Sequence, residues 1–199
     1  MHKYILIIFI MLSFNAYPQS DTTIDITDEL KKIIKEKKDI KQHINDKKIL
    51  EDKKNIINWD ILLLNAISYN DISSDIEYLI ENGADVNYTT KKGDTVLMWA
   101  CGEIDIDNTS DKILKNRKSV IEILLKKGAN LNSQSKSNGY TPIMFAIENK
   151  NFPLDLIIPL INGSDVNILN NQKENYINVA VRNQRNDLIE YYINNIKKK

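Results

Sequence analysis

The sequence predicts an all-α fold, a solenoid of stacked helix-turn-helix units with short hairpin-like turns, preceded by a charged N-terminal helix. Three observations predict it. One phrase occurs three times, as Gly83-Ala84-Asp85-Val86-Asn87, Gly128-Ala129-Asn130-Leu131-Asn132 and Gly163-Ser164-Asp165-Val166-Asn167. A second signature occurs twice, as Gly93-Asp94-Thr95-Val96-Leu97-Met98-Trp99-Ala100 and Gly139-Tyr140-Thr141-Pro142-Ile143-Met144-Phe145-Ala146. Ahead of each copy of the first phrase, apolar residues recur at spacings that line one helix face: Ile76, Leu79, Ile80, then Ile121, Leu124, Leu125, then Leu156 and Leu160. One helix pair of this size cannot bury its own apolar face, so neighbouring units must stack.

The chain opens with His2-Lys3, an apolar run from Tyr4 to Leu12, and small or polar residues to Ser20. That order is the charged, apolar and processing region of a secretory signal peptide, expected over residues 1–20 with a cut between Ala16 and Ser20. The run is shorter than the roughly 20 residues a membrane helix needs. The expected setting is therefore extracytoplasmic, periplasmic or secreted, with no stable membrane span once the leader is removed. Heavy use of Ile, Lys and Asn implies an AT-rich genome, and a bacterial source is expected.

Residues 21–57 interleave Lys with Asp and Glu around Leu30, Ile33, Ile34, Ile40, Ile44, Ile49 and Ile56, with no Pro or Gly. The spacing is partly helical, but Lys37 and Lys47 fall where a coiled-coil seam would continue. A charged helical segment or linker, solvated or loosely docked on the first unit, is expected. The sharper alternative is an oligomerising helix.

The repeats fill residues 58–199, in about four units at 58–90, 91–135, 136–170 and 171–199. Thr95 and Thr141 stand where a side-chain oxygen can take free N–H groups of a first helical turn, and Pro142 fits that turn because its missing donor is not needed there. Leu97, Trp99 and Ala100, like Ile143, Phe145 and Ala146, predict a short buried helix, which assigns Trp99 and Phe145 to packing. Gly83, Gly128 and Gly163 stand where a left-handed residue ends the second helix. Pro159 should kink or shorten the third closing helix. The first unit lacks Thr-Pro and reads as an N-terminal cap. The last, with Asn175-Tyr176-Ile177-Asn178-Val179-Ala180 and Leu188, Ile189, Tyr192 and Ile193, reads as a C-terminal cap.

These residues resemble the ankyrin repeat, whose units read G-x-T-P-L-H-x-A, then a helix, a turn, a second helix and G-A-D-V-N, with a period of about 33 residues. The motif histidine is replaced by Met98, Met144 and Asn178. The resemblance implies binding of another protein through turn tips and the exposed edge of the first helix, on the concave side. The matching turn positions are Lys91, Lys92, Asp94, Ser137, Asn138, Tyr140, Asn171, Gln172 and Glu174. The helix edges offer Tyr69, Glu103, Asn149, Arg182 and Asn183. Tyr69, Tyr140 and Arg182 are the favoured anchors, because Tyr and Arg are enriched in binding hot spots. The second unit carries an insertion: Gly128 follows Ala100 by 28 residues, whereas Gly83 follows Ala66, and Gly163 follows Ala146, by 17.

Composition argues against other classes. Lys and Arg total 27, as do Asp and Glu, so there is no basic field for nucleic acid and no nucleic-acid partner is expected. The two histidines, His2 and His43, lie outside the repeats, and glycines form no phosphate-cradling run, so neither catalysis nor a cofactor is expected. Asp105, Asp107, Thr109 and Asp111 alternate like the opening of a calcium loop, but Ser110 replaces its glycine and Asn116 its closing acid, so no metal is expected. Cys101, the single cysteine, matches a small buried helix position. The function expected is a secreted or periplasmic repeat protein that binds another protein. The alternative is a structural or oligomeric envelope protein acting through its charged N-terminal helix.

Overall fold

The computed structural model describes residues 24–36, 38–47, 49–51, 55–69, 73–102, 111–149 and 152–196. The expected leader, the insertion over 103–110 and the terminal lysines lie outside the described residues. Two two-residue strands, β1 (Ile24–Asp25) and β2 (Asn55–Ile56), pair in parallel. Between them lie α1 (Thr27–Lys35), α2 (Ile40–Asp46) and a short 3-10 turn (Ile49–Glu51). Four helix pairs follow: α3 (Trp59–Tyr69) with α4 (Ser73–Glu81), α5 (Val96–Ala100) with α6 (Asp111–Lys126), α7 (Pro142–Glu148) with α8 (Leu154–Ile161), and α9 (Tyr176–Arg182) with α10 (Asn186–Asn195).

The pairs stack in sequence order. First helices pack α3 on α5, α5 on α7 and α7 on α9, and second helices pack α4 on α6 and α6 on α8. Ala66, Ala100, Ala146 and Ala180 recur at one position of the first helix and are all 0% exposed. A methyl group there lets the neighbouring helix approach closely, while Leu63, Leu97 and Ile143 fill the layer between units. Each such Leu or Ile contributes about 1.5–3 kcal/mol by leaving water.

Within residues 21–57, read from sequence as a charged helix or linker, solvated or loosely docked on the first unit, α1 and α2 form a pair that extends the stack. Helix α1 packs on α3 and α2 on α4. Leu30, Ile34, Ile40 and Ile44 are at most 1% exposed. Four apolar residues suffice because a terminal pair has only one face to cover, and the charged residues stay in water, as in the exposed Lys31–Asp28 pair at 2.7 Å. Asp39 caps α2 by accepting from the Gln42 N–H at 2.8 Å. The Asn58 N–H donates to Thr27 Oγ1 at 2.8 Å, so the excursion closes where it began.

Caps follow the sequence in part. Thr95 accepts from the Met98 N–H at 3.2 Å, and Asn175 from the Asn178 N–H at 2.9 Å. Thr141 has the extended backbone of a cap but makes no side-chain capping bond. Gly83 and Gly128 are left-handed, with φ of +107° and +91°. Gly163 is not left-handed; there the absent Cβ admits the Leu131 side chain. Pro159 lies inside α8, which closes two residues later at Ile161.

Two polar ladders fix the units' register. Asn87 receives the Asn130 N–H at 2.8 Å and donates to the Gly128 carbonyl at 3.2 Å; Asn132 receives the Asp165 N–H at 2.9 Å. The hairpin turns join through the backbone, Lys136 N–H to Lys92 carbonyl at 2.9 Å and Asn171 N–H to Asn138 carbonyl at 3.0 Å. A side chain at Gly139 would collide with Asn171, whose backbone nitrogen lies 2.8 Å from where a Cβ would stand.

Candidate interaction groove

Three positions of each unit line the side of the stack formed by turns and first helices. The residue before the repeat's alanine is Asn65, Trp99, Phe145 and Val179 in turn. The residue two after it is Ser68, Gly102, Glu148 and Arg182, and the residue before the first-helix cap is Asp94, Tyr140 and Glu174 in the last three units. What these positions hold decides whether the surface is open or closed.

Across the first three units it is open. Ile67, Ser68, Gly102 and Asp94 enclose a groove of about 450 Å³ with Met98, Trp99 and Phe145. Trp99, expected in the core, is 41% exposed. Ser68 and Gly102, which line the groove with it, are too small to cover the indole fully. Arg117 of α6 reaches the groove from behind, buried, with Nη1 donating to the Ala100 carbonyl at 3.3 Å. Sequence reading missed it because it falls on the helix beyond the insertion. Cys101 is inert: burial pushes its thiol up to about 12, so it stays protonated.

Between the third and fourth units the same positions are filled. Arg182 donates from Nε to Glu174 Oε1 at 3.0 Å and from Nη2 to Tyr140 Oη at 2.9 Å, and it pairs with Glu148. Tyr140 donates to Glu148 Oε1 at 2.6 Å and meets Phe145 edge-on, with ring centroids 5.7 Å apart. Burial works to raise the Glu148 carboxyl, but bonds from Tyr140 and Arg182 outweigh it and hold it below the ordinary range. Glu174 is held down by Asn170 and then Arg182. Burial and the bond to Glu148 raise Tyr140, and Glu148 and Glu174 hold the Arg182 guanidinium in its charged form.

A family profile described as ankyrin repeats, in three copies, matches residues 112–199. Residues 112–199 are ankyrin repeats. The whole arrangement of stacked helix pairs and hairpin turns is an all-α ankyrin solenoid. The ankyrin repeat protein FPV232 of Fowlpox virus (strain NVSL) is 33% identical to this chain over 95 residues, which are 47% of this chain and 19% of that protein. The chain thus spans about a fifth of the length of that relative.

The ankyrin stack sorts the expected partner-binding residues. Lys91, Lys92 and Gln172 stand exposed on turn tips. Asp94 is half-buried, accepts from Ser135 Oγ and lines the groove. Ser137, Asn138 and Asn171 are tied into the turn ladder: the Asn171 amide donates to the Ser137 carbonyl at 3.4 Å, and Asn138 Oδ1 accepts from the Tyr140 N–H at 3.0 Å. Asn149 donates to the Gly102 carbonyl at 3.1 Å and Asn183 to the Val179 carbonyl at 3.0 Å. Tyr140, Glu174 and Arg182 belong to the network above. Glu103 and the Tyr69 side chain lie outside the described residues. Sequence carried no signal that Trp99 is exposed: its position holds Asn65, Phe145 and Val179 in the other units, apolar in two of them and fully buried at Val179. Asp105, Asp107 and Thr109 of the calcium-like stretch lie outside the described residues, and no three metal-ligating side chains gather among the described ones.

Proposed function

We propose that this chain is a protein-binding module whose groove, centred on Trp99, takes an apolar side chain of a partner protein. The exposure of Trp99 over a 450 Å³ groove carries the reading. Trp is among the residues that most often dominate binding energy, and the groove gives it a partly desolvated setting with Phe145 beside it. Ankyrin repeats support a role in protein–protein interaction, and nothing among the described residues points to catalysis. Lys91 and Lys92, exposed on the second unit's turn beside Asp94, form the polar rim, while Tyr140 and Arg182 hold the scaffold.

The proposed setting is extracytoplasmic, periplasmic or secreted, in a bacterium. The leader-like pattern of residues 1–20 and the composition support it; the relative from a poxvirus adds no support for a bacterial source. No described helix is long and apolar enough to cross a membrane. The alternative reading is a structural or oligomeric envelope protein acting through the charged N-terminal helix; the packing of the apolar faces of α1 and α2 on α3 and α4 favours the groove over it.

The test is a pull-down from the source organism's envelope and secreted fractions with the chain from Asp21 as bait, beside a Trp99→Ala variant. A partner held by the first and lost from the second supports the groove. A partner indifferent to Trp99 rejects it. Fractionation with N-terminal sequencing tests the setting, and a chain retaining Met1 in the cytoplasm rejects it.

A further inference from the structure

The chain has no formal net charge, yet the folded surface sorts its lysines into two settings. Along the second helices, lysines meet acids of the neighbouring unit: Lys127 lies 3.6 Å from Glu81, and Lys118 lies 3.7 Å from Asp155. Along the hairpin turns, at 89–95, 134–140 and 168–174, the exposed charged side chains are lysines alone: Lys91, Lys92, Lys136 and Lys173. Among the described residues, none of these four has a carboxylate within ion-pair distance. The two acids of the same turns are half-buried and engaged, Asp94 with Ser135 Oγ and Glu174 with Asn170 and Arg182.

Three of the lysines gather at the edge of the Trp99 groove that Asp94 marks. Lys91 and Lys92 share its turn. Lys136 is held on that turn from the next unit: its backbone N–H donates to the Lys92 carbonyl at 2.9 Å, and its stem lies over Gly93, where a Cβ would stand 2.7 Å from Lys136 Cγ. Arg117 adds a guanidinium at the back of the groove. Of the described residues in the groove lining and on these turn tips, Asp94 alone opposes these four cations. Such a field favours a partner of opposite sign and fixes its register. Resting on the groove reading above, we propose that the partner presents an acidic protein segment: an apolar side chain enters the groove over Trp99, and flanking Asp or Glu side chains face Lys91, Lys92 and Lys136. The apolar walls and the basic edge together fit a segment that carries both features within a few residues.

Selection of a random-peptide display library on the full chain tests this without a known partner. Enriched peptides are expected to carry Asp or Glu around an apolar residue. A triple variant, Lys91→Gln with Lys92→Gln and Lys136→Gln, should bind them about tenfold more weakly at unchanged melting temperature, because all three side chains are exposed. Binding to the wild type should weaken as salt rises from about 50 to about 500 mM. A neutral or basic consensus, no enrichment, or acidic peptides indifferent to the triple variant overturns the proposal. So does a lysine edge that answers only to a DNA duplex or to phosphatidylserine vesicles. Trp99→Ala separates the two readings. Peptides lost from it but indifferent to the lysines leave the groove standing and reject the acidic partner, whereas acidic peptides that need the lysines and ignore Trp99 reject the groove.

Discussion

The groove and the clasp use the same repeat positions to opposite ends. Two residues after the alanine, the third and fourth units carry Glu148 and Arg182, which with Tyr140 and Glu174 lock one unit to the next. The first and second carry Ser68 and Gly102 there, too small to reach across to the next unit, and Trp99 is left facing the gap. A solenoid's stability is close to a sum of unit and neighbour terms, so one junction can be reinforced while another is left available. The comparison separates two roles that composition alone confounds: Tyr140 and Arg182 have the residue types of binding anchors but spend their polar atoms inside the molecule.

The largest expected effect is on the open half. Trp99→Ala should cost about 2 kcal/mol of partner binding, roughly thirtyfold in affinity, while moving stability by less than about 1 kcal/mol because the ring is partly in water. Calorimetric titration against the captured partner, beside a thermal melt, checks both. Gly102→Glu sharpens the point by placing in the second unit the side chain the third has at that position. It should obstruct the groove and weaken binding at least tenfold with the fold intact; undiminished binding would mean the partner docks elsewhere.

On the clasped half the effect is on stability. Arg182→Leu removes the guanidinium that Glu148 and Glu174 share and leaves two carboxylates near each other. The expected cost is about 1–2 kcal/mol, at the low end for charged hydrogen bonds because Arg182 is 42% exposed. Hydrogen exchange should localise it, with faster exchange in α9 and α10 and little change in α3 and α4. Uniformly faster exchange would mean that the stack unfolds as one unit.

The clasp also carries a pH dependence. Glu148 and Glu174 lie below their ordinary value in the folded chain, so their contribution is present above about pH 4.3 and lost as pH falls through the lowered folded values. Tyr140 is raised, so its contribution holds below about pH 10 and is lost as pH climbs through its raised value. The stability gap between wild type and Arg182→Leu should therefore narrow on acidification below pH 4. A gap that stays constant would show that the arginine acts through packing of its stem alone.

Much of this was legible in the sequence, for a physical reason. Repeat phrases encode turns and helix contacts that recur in every unit, so Ala66, Ala100, Ala146 and Ala180, the capping Thr95 and the left-handed Gly83 and Gly128 are all readable locally. The clasp is not, because Tyr140 and Arg182 are 42 positions apart and meet only once two units stack. Helices α1 and α2 were obscured because Leu30, Ile34, Ile40 and Ile44 are few and set among lysines, too thin a stripe to signal burial until the neighbour that covers it is in place. Trp99 was misread because aromatic residues usually pack, and its exposure depends on Ser68 and Gly102 lying beside it once the units stack.

The smallest effect concerns the turn that presents Glu174 to Arg182. In the second and third units the residue two before the cap is Gly93 or Gly139, with φ of +78° and +74°. The fourth unit has Lys173 there, at φ +64°. Glycine is needed at Gly93 and Gly139 for two reasons, the left-handed backbone and the next turn pressed against it, with Lys136 on Gly93 and Asn171 on Gly139. The fourth turn ends the ladder, so only the first reason remains, and an L side chain fits at a cost in strain. That cost is about 1–2 kcal/mol for the left-handed region, of which glycine's greater freedom in the unfolded chain would return part. Lys173→Gly should therefore stabilise the chain by about 0.5–1 kcal/mol, seen as a small rise in melting temperature and slower exchange in α9. If it destabilises instead, the lysine makes a contact that outweighs its backbone strain, and the last turn is held by more than the Asn170 and Arg182 bonds to Glu174.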